Sequence, residues 1–273
     1  MGVPLVTVVV PTYNNERTLE ACLRSVREQT HPNVELVVVD NHSRDATPLI
    51  AAHHADVLLT RGPERSAQRN AGVETASGEW VLWLDSDMVL PPRALELALE
   101  TASDSGAEAL ALPERTIGDG FWTRCRALER ECYLDDPSLH NPRLLRREHL
   151  ERDGGFRLDM SGPEDADLRL RLRDEGVAVA VVPVLVDHDE GKLTVRSVLA
   201  KRYYYGLSIP AFSRAHGGAV GGQGRGILRS YVRNAGRLAR DPLHTGGMVV
   251  LRTAEAAAYG WGAWRGRRRV VPR

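Results

Sequence analysis

The strongest constraint on the fold is a repeated pattern in which short apolar runs alternate with segments of helical periodicity. Leu5 to Val10 and Val34 to Val39 are predicted strands, and residues 19–26 between them carry apolar side chains at helical spacing. Strands joined by a crossover helix are parallel and neighbouring. The pattern predicts an α/β fold with a mostly parallel central sheet and helices on both of its faces.

A third apolar run leads into two carboxylates. Trp80 to Leu84 is apolar throughout and is followed by Asp85-Ser86-Asp87. Two carboxylates held this close repel, so water, a basic side chain or a divalent cation has to compensate them. For the motif alone, an acidic turn after a strand is the simpler interpretation, because aspartate is a common turn former.

Polar residues follow four predicted strands, and the other elements decide between these interpretations. They are Pro11-Thr12-Tyr13-Asn14, Asp40, Asp85-Ser86-Asp87 and His188, the last after an apolar run from Val177 to Val186. Because the carboxyl ends of parallel strands lie along one edge of a sheet, these groups are expected to converge on one crevice. Their oxygen and nitrogen atoms suit Mg²⁺ or Mn²⁺, which in turn suits a diphosphate.

The net charge of zero conceals two parts of opposite sign. From Arg196 onward the chain carries 15 Lys or Arg against two acids, whereas the first 195 residues carry 21 bases and 34 acids. This asymmetry predicts an acidic domain with a carboxylate site at residues 1–195 and a basic, mainly helical extension at 196–273 that meets an anionic partner.

The basic extension has a regular pattern. Arg225, Arg229, Arg233 and Arg237 recur every fourth residue opposite apolar side chains. This spacing predicts an amphipathic helix on an anionic membrane surface, and a solvated helix face is the alternative. The stretch from Gly217 to Gly226 is predicted to be a flexible linker.

The remaining composition excludes several classes of protein. The three cysteines form no CxxC pair and are predicted to be free thiols in a reducing compartment. No signal peptide and no membrane span is evident, so the expected location is cytoplasmic, peripheral to the inner face of the cell membrane. Zinc spacings and base-stacking folds are missing, so no nucleic-acid partner is expected.

Five motifs in register resemble the family-2 glycosyltransferases of the GT-A fold, over roughly residues 5–190. The motifs are Val-Val-Val-Pro-Thr-Tyr-Asn at 8–14, Val-Val-Val-Asp-Asn-His-Ser-Arg-Asp-Ala-Thr at 37–47, Gln-Arg-Asn-Ala-Gly at 68–72, Leu-Asp-Ser-Asp at 84–87 and Gly-Pro-Glu-Asp-Ala-Asp-Leu at 162–168. The resemblance implies an inverting transfer of a sugar from a nucleoside diphosphate to an acceptor hydroxyl.

The resemblance also implies roles for individual residues around the donor. The nucleotide-sugar contacts would come from Pro11, Thr12, Tyr13, Glu16, Asp40, Arg65, Arg69, Asp85 and Ser86. Asp40 would hydrogen-bond the base, Asp85 would lie near the ribose, and Arg65 would compete with Arg69 for contact with base or phosphate. Asp87 and His188 would hold the Mg²⁺ or Mn²⁺ that bridges the diphosphate.

On the acceptor side, the resemblance makes Asp165 the general base and Glu164 an acceptor-binding residue. Glu164 has an alternative, because Ser161 and Glu164 have the spacing of a capping box at the start of a predicted helix over Ala166 to Glu175. A carboxylate base suits an acceptor hydroxyl that must lose its proton as it attacks.

Donor and acceptor follow from the resemblance only as classes. A UDP-sugar is favoured over a GDP- or dTDP-sugar, the acceptor is a glycan, a lipid-linked molecule or a small molecule, and the setting is the bacterial cell envelope or glycoconjugate biosynthesis. A homodimer is a further expectation. The alternatives are a non-catalytic nucleotide-sugar-binding scaffold and a sugar nucleotidyltransferase, although the usual Gly-rich, Lys-bearing loop is missing after the first strand.

Overall fold

The computed structural model describes residues 2–152, 154–217 and 220–269, with every side chain in these ranges except those of residues 220–223 and 269. The chain forms two compact units. Unit 1 comprises residues 1–113, 141–158 and 168–189, and unit 2 comprises residues 114–140, 159–167 and 190–273. The functional division at residue 195 that the charge pattern predicts stays a prediction.

Strands and helices alternate through the first 113 residues, as the sequence pattern predicts. The strands are β1 (Val6–Thr12), β2 (Val34–Asp40), β3 (Val57–Thr60), β4 (Trp80–Trp83), β5 (Met88–Val89) and β6 (Ala109–Ala111). The helices are α1 (Leu19–Arg27), α2 (Thr47–His54), α3 (Arg65–Thr75) and α4 (Ala94–Ser105).

Residues 114–189 are less regular. Their elements are β7 (Glu114–Ile117), α5 (Phe121–Glu131), a 3₁₀ turn (Pro137–Leu139), β8 (Pro142–Arg146), α6 (Arg147–Arg152), α7 (Glu164–Asp174), β9 (Val179–Val181) and β10 (Val186–Asp189). The sequence predicts one strand over Val177 to Val186 with an interruption at Pro183, whereas the structure has two separate strands there. Pro183 has no N–H to donate, and the Val184 N–H instead bonds the Val182 carbonyl at 2.8 Å in a tight turn that separates two strands.

The central sheet of unit 1 has seven strands in the order β3-β2-β1-β4-β8-β6-β9. Strands β1 to β4 are mutually parallel where they pair, β6 pairs parallel with β9, and β8 alone runs antiparallel to its neighbours β4 and β6. The predicted mostly parallel sheet is confirmed.

Both faces of this sheet are buried, which explains its continuous apolar runs. One apolar cluster joins Val8 and Val10 of β1 to Leu23 of α1 and Leu95 of α4. The second apolar cluster lies on the opposite face of the sheet, where Val9 packs with residues of α3, α6 and α7. Successive strand residues point to opposite faces, so a strand covered on both sides has to be apolar at every position.

Unit 2 is mainly helical. Besides α5, its helices are α8 (Val195–Gly206), α9 (Ile209–His216), α10 (Val220–Arg233), α11 (Ala235–Arg240) and α12 (Pro242–Arg269). Among the described residues, no helix combines the length and the apolar character that a membrane crossing requires.

Two predictions about the basic extension are wrong. The predicted linker is helical from Val220 onward, and Gly218 and Ala219 lie outside the described residues. Tertiary packing offsets the weak helix propensity of glycine here, since a Cβ at Gly226 would lie only 3.1 Å from Leu139. The arginine pattern also occupies two helices, α10 and α11, rather than one.

A buried ion cluster holds three helices of unit 2 together. Glu129 on α5 is 1% exposed and accepts hydrogen bonds from Tyr133 at 2.5 Å and Tyr231 at 2.8 Å. Arg126 and Arg252 lie 2.6 Å from the same carboxylate. Burial, with the Glu129 charge, raises the pKa of the Tyr231 hydroxyl to about 12 and keeps it a donor.

Replacing Glu129 with glutamine is expected to lower the free energy of unfolding by about 3 kcal/mol, because buried Arg126 and partly buried Arg252 would each lose the charge of a buried carboxylate partner. Urea unfolding at pH 7 measures the change. Glu131→Gln is the matched control on the same helix, since Glu131 is 33% exposed in its ion pair with Arg124, and a change below about 1 kcal/mol is expected. Equal losses in the two variants would contradict the role given to the cluster.

Candidate active site

The carboxyl ends of the parallel strands come together at one edge of the sheet in unit 1. Thr12 is in register with Asp40, and Asp40 is in register with Thr60 on β3. The Leu84 N–H, directly after β4, donates to the Val9 carbonyl of β1 at 3.0 Å. The sheet therefore places Asp40 and the Asp85-Ser86-Asp87 segment along the same edge.

Two buried oxygens at this edge have no hydrogen-bond partner among the residues that the structure describes. They are Oγ1 of Thr12 and Oδ1 of Asp40, whose residues are 2% and 4% exposed. The other carboxylate oxygen of Asp40 accepts from the Ser43 N–H at 2.9 Å, which fixes its orientation. Because buried polar groups are almost always bonded, this pair suits a ligand with N–H and O–H groups.

The loop after β1 is held by the loop after β2. Pro11 is buried at the strand end, whereas Tyr13 is 58% exposed. The Asn14 N–H donates to Ser43 at 2.8 Å, and the Glu16 carboxylate accepts from the Ala46 N–H at 2.9 Å. Glu16 thus braces the loop that follows Asp40.

Asp85 lies among three arginines. Its Oδ1 is 2.9 Å from Arg69 and 3.8 Å from Arg65, and its Oδ2 is 3.4 Å from Arg143. Burial alone would raise the pKa of Asp85, but the guanidinium groups of Arg143, Arg69 and Arg65 hold it well below its usual range. Three guanidinium groups are thus gathered around Asp85 at this edge of the sheet, an arrangement that suits an anionic ligand.

Three positions of the Gln-Arg-Asn-Ala-Gly motif have separate structural tasks. Gln68 donates to the carbonyls of Thr12 at 2.9 Å and Val39 at 2.7 Å, which joins the ends of β1 and β2. Asn70 exchanges two hydrogen bonds with the backbone of Phe156, at 2.7 and 2.8 Å. Gly72 allows α3 to approach β1, since a Cβ there would meet the Val9 side chain.

Arg69, the remaining polar position of that motif, is fully buried between aromatic rings. Its side chain is 0% exposed, and its guanidinium carbon lies 6.0 Å from the ring centroid of Trp83 and 5.1 Å from that of Phe156. These two rings themselves meet edge to face. By contrast, the Arg65 side chain is 34% exposed. Burial therefore favours Arg65 over Arg69 for direct contact with a ligand.

Arg69→Lys is expected to lower the free energy of unfolding by about 2 kcal/mol, because an ammonium group does not reproduce the planar stack and the fixed donors of a guanidinium. Arg65→Lys is the control on the preceding turn of α3, with an expected change below about 1 kcal/mol. Urea unfolding of both variants makes the comparison. A larger loss for Arg65→Lys would contradict the structural role of Arg69.

Asp87 and His188 face each other across a strand pair. Nε2 of His188 lies 3.4 Å from Oδ2 of Asp87, and the Asp87 side chain is 35% exposed. The prediction that His188 follows a parallel strand is wrong, because it lies within β10, antiparallel to β5 and opposite Met88. The Asp189 N–H donates to the Asp87 carbonyl at 2.8 Å and fixes this arrangement.

Ser86 between the two aspartates is engaged by residues just before α1. The Asn15 amide donates to the Ser86 hydroxyl at 2.8 Å, and Thr18 donates to the Ser86 carbonyl at 3.0 Å. These bonds hold the backbone so that Asp85 and Asp87 point in different directions: one toward the arginines, the other toward His188. The structure thus separates the pair.

Arg143 is the site residue that sequence analysis missed. It lies on β8, the strand adjacent to β4, and its side chain is 10% exposed. The local sequence around Arg143 does not indicate which strand β8 pairs with, and that pairing brings Arg143 to Asp85. Gln68 was quoted in a motif, but its bridge between two strand ends was not anticipated.

The predicted acceptor-side residues belong to unit 2, in the first turn of α7. Glu164 is 1% exposed, and its carboxylate accepts from the Gly162 N–H in a short hydrogen bond. The Ser161 N–H donates to the Ser208 hydroxyl at 3.1 Å. Asp165 is only half-buried.

Among the described residues, one group of three side chains meets the distance requirement for a metal site: Glu108, Glu148 and His149. Both ring nitrogens of His149 already have partners, Glu108 at 3.0 Å and Arg152 at 2.9 Å. The group is therefore an ion-pair network. Asp87 and His188 present one carboxylate and one imidazole, which are group types that coordinate divalent cations.

Known proteins resemble both the sequence and the fold. A family model described as glycosyl transferase family 2 matches residues 7–159. The succinoglycan biosynthesis protein ExoO of Rhizobium meliloti is 39% identical over 111 residues, 39% of this chain and 32% of ExoO. The uncharacterized protein MT1568 of Mycobacterium tuberculosis is 32% identical over 213 residues, 66% of this chain and 65% of that protein. The chain thus spans between about a third and two thirds of these relatives.

A solved structure extends the likeness to nearly the whole chain. The mannosyltransferase PcManGT from Pyrobaculum calidifontis, in complex with GDP-Man and Mn²⁺, matches with a TM-score of 0.62 at 22% identity, over 98% of this chain and 88% of that protein. This likeness concerns the fold, which is of the GT-A type. The family model matches more than half of the chain, and the likeness in fold agrees with it. This chain belongs to glycosyl transferase family 2.

Proposed function

We propose that this protein transfers a sugar from a nucleoside diphosphate to an acceptor hydroxyl, with inversion at the anomeric carbon. The observation that carries the proposal is the grouping, at one sheet edge, of an unsatisfied Asp40, an arginine-rich pocket around Asp85 and the Asp87–His188 pair. These are a hydrogen-bonding site, a group of arginines that suits an anion, and a pair of side chains with oxygen and nitrogen ligand atoms. A nucleoside diphosphate with a divalent cation needs all three.

The nucleotide would lie across the ends of β1 and β2. Oδ1 of Asp40 would accept a hydrogen bond from the base, and the Thr12 hydroxyl would donate to it or accept from it. The exposed Tyr13 would cover the base. Arg65 is better placed than Arg69 to reach the phosphates, because its guanidinium is partly exposed. Arg69 would instead hold Asp85 in position near the ribose.

Asp87 and His188 fit a divalent cation. Their facing atoms are 3.4 Å apart, Asp87 is accessible, and carboxylate and imidazole ligands suit Mn²⁺ and also Mg²⁺. A cation bound there would offset the negative charge that develops on the departing diphosphate. The solved structure of PcManGT, which has a similar fold, is a complex with GDP-Man and Mn²⁺. For this chain a UDP-sugar is proposed as donor, with GDP- and dTDP-sugars as alternatives.

Asp165 would act as the general base. The acceptor oxygen attacks the anomeric carbon, its proton passes to the Asp165 carboxylate, and the bond from that carbon to the diphosphate oxygen breaks. A single displacement of this kind inverts the configuration and needs one base. Glu164 is buried against Gly162, so we assign it to shaping the loop before Asp165 rather than to binding the acceptor.

The proposal is tested by thermal shift and by product analysis. Binding to the folded protein raises its melting temperature, so a nucleoside diphosphate with Mn²⁺ is expected to stabilise the protein more than either does alone. Incubation with labelled nucleotide sugars and membrane extracts as acceptor source is expected to release nucleoside diphosphate. Release of pyrophosphate would indicate a nucleotidyltransferase, and binding without turnover would indicate a scaffold.

The acceptor, the oligomeric state and the cellular location are proposed as classes. A glycan, a lipid-linked molecule or a small molecule would serve as acceptor, in the synthesis of cell-envelope or other glycoconjugates. We propose that the protein acts in the cytoplasm at the inner membrane surface, because the helices of unit 2 are basic. Alternatively, these helices would form the interface of a homodimer. The charge and exposure of α12 support the first of these two proposals.

A further inference from the structure

Helix α12 has an exposed face that lacks charge along most of its length. The exposed residues from the start of the helix to its second tryptophan are Pro242, Leu243, Gly246, Val249, Val250, Thr253, Ala256, Ala257, Gly260, Trp261 and Trp264. At 3.6 residues per turn, those after Pro242 fall within an arc of about 140°. Arg252 and Glu255 occupy the same stretch of sequence but turn inward to the ion cluster around Glu129.

The opposite face of α12 is the one packed inside unit 2. A Cβ at Gly262 would meet the Tyr203 carbonyl of α8, and a Cβ at Gly247 would meet Cys125 and Phe121 of α5. Met248 and Leu251 are 2% exposed. The helix thus has a charged pair on its inner side and a row of large apolar side chains on its outer side, where an ordinary surface helix has polar residues.

Large apolar groups on the outer face are strongly exposed. Leu243 is 67%, Val250 60% and Trp261 64% exposed, and Trp264 is 48% exposed. Contiguous exposed apolar surface of this kind marks an interaction site. The two tryptophans lie at one end of the face and are followed by exposed Arg265, Arg267 and Arg268, with the Arg268 guanidinium 3.9 Å from the Trp264 ring centroid.

Charge selects the occupant of this face. Unit 2 has 20 Lys and Arg against 13 Asp and Glu. Two copies of the protein that met through their unit 2 would therefore repel each other. Anionic lipid headgroups attract the same arginines, and tryptophan rings favour the boundary between headgroups and acyl chains. Helix α10 repeats the combination, with Leu228 and Val232 at 64% and 71% exposure beside exposed Arg225 and Arg229.

We propose that the outer face of α12 lies in the headgroup region of an anionic bilayer, with Trp261 and Trp264 as anchors and the arginines after them bound to lipid phosphates. This inference rests on the proposed function, in which it specifies the surface that brings the transferase to its membrane. The sequence predicted membrane contact through the arginines at 225–237. Here the uncharged face of α12 would insert among the lipids, and the arginines would attract the anionic headgroups.

Vesicle sedimentation of the full chain tests the proposal. Binding is expected with vesicles of phosphatidylcholine and phosphatidylglycerol in equal parts, to be weaker with phosphatidylcholine alone, and to decrease in high salt. Val250→Asp is expected to weaken binding about tenfold, since it places a charge in the apolar arc. Leu49→Asp is the matched control, because Leu49 is an apolar residue of α2 that is 77% exposed.

Quenching by brominated lipids gives a second readout. Tryptophan emission of the wild type is expected to be quenched by brominated acyl chains, and the double variant Trp261→Ser, Trp264→Ser is expected to lose most of that quenching. Circular dichroism melting checks that each variant is folded. Lack of wild-type binding to anionic vesicles, or equal binding of Val250→Asp and wild type, would overturn the proposal.

Two further outcomes keep the inference separate from the enzymatic proposal. If light scattering finds a wild-type dimer that Val250→Asp dissociates without loss of vesicle binding, the face belongs to a second copy and the proposal is wrong. Val250→Asp is expected to retain nucleoside diphosphate binding with Mn²⁺. A wild type that binds vesicles but no nucleoside diphosphate would contradict the proposed function and leave the membrane surface supported.

Discussion

Replacing Asp87 with alanine is expected to reduce sugar transfer by about 10³-fold, the loss typical of removing one group that stabilises charge on a leaving group. The carboxylate lies 3.4 Å from His188 and is accessible, so its removal takes away the acidic member of the proposed cation site. The rate is measured as release of nucleoside diphosphate at saturating Mn²⁺. Stability is expected to be nearly unchanged, because Asp87 is already partly exposed.

Two comparisons make this prediction specific. Asp174→Asn on α7 removes an aspartate that is 61% exposed, and activity equal to the wild type is expected. The Mn²⁺ needed for the nucleoside diphosphate thermal shift is expected to rise in Asp87→Ala. Full transfer activity in Asp87→Ala would remove Asp87 as a ligand and with it the proposed cation site.

Asp165→Asn is expected to lower transfer by about 10²–10⁴-fold, the usual contribution of a general base, because an amide cannot take up the acceptor proton. Donor binding is expected to be unchanged, since the variant keeps the shape of the residue. Single-turnover transfer and the nucleoside diphosphate thermal shift measure the two effects separately. A variant with most of its activity would exclude Asp165 as the base.

Asp167, two residues later, is the matched comparison. It is 0% exposed and lies 2.7 Å from Nε2 of His216, so its role within unit 2 is structural. Asp167→Asn is expected to lower the free energy of unfolding by about 2 kcal/mol, because it weakens a buried charge-assisted hydrogen bond. Asp165→Asn is expected to leave stability nearly unchanged. The opposite order of the two stability effects would reverse the assignments.

The sheet was predictable because its information is local. Strands buried on both faces must be apolar throughout, and a crossover helix leaves them parallel, so Leu5 to Val10 and Val34 to Val39 already implied the parallel neighbours whose ends carry Thr12 and Asp40. The five motifs and their order likewise predicted the family.

Other features depended on contacts between distant residues. His188 lies on an antiparallel strand rather than after a parallel one, because the turn at Pro183 ends β9 and β10 pairs with β5. Arg143 joins Asp85 only because β8 inserts antiparallel beside β4. The Gly-rich stretch is helical from Val220 onward, and its Gly226 packs close to Leu139, a residue far away in the chain.

The sequence by itself determined the α/β fold, the family and the set of carboxylates, since apolar periodicity and motif order are properties of short segments. Only the tertiary structure decided how Asp85 and Asp87 differ: three arginines from α3 and β8 surround the first, and His188 from β10 faces the second. It also decided that the charged pair Arg252 and Glu255 of α12 points inward and its tryptophans outward. The physical reason is that burial and charge compensation are set by neighbours far away in the chain.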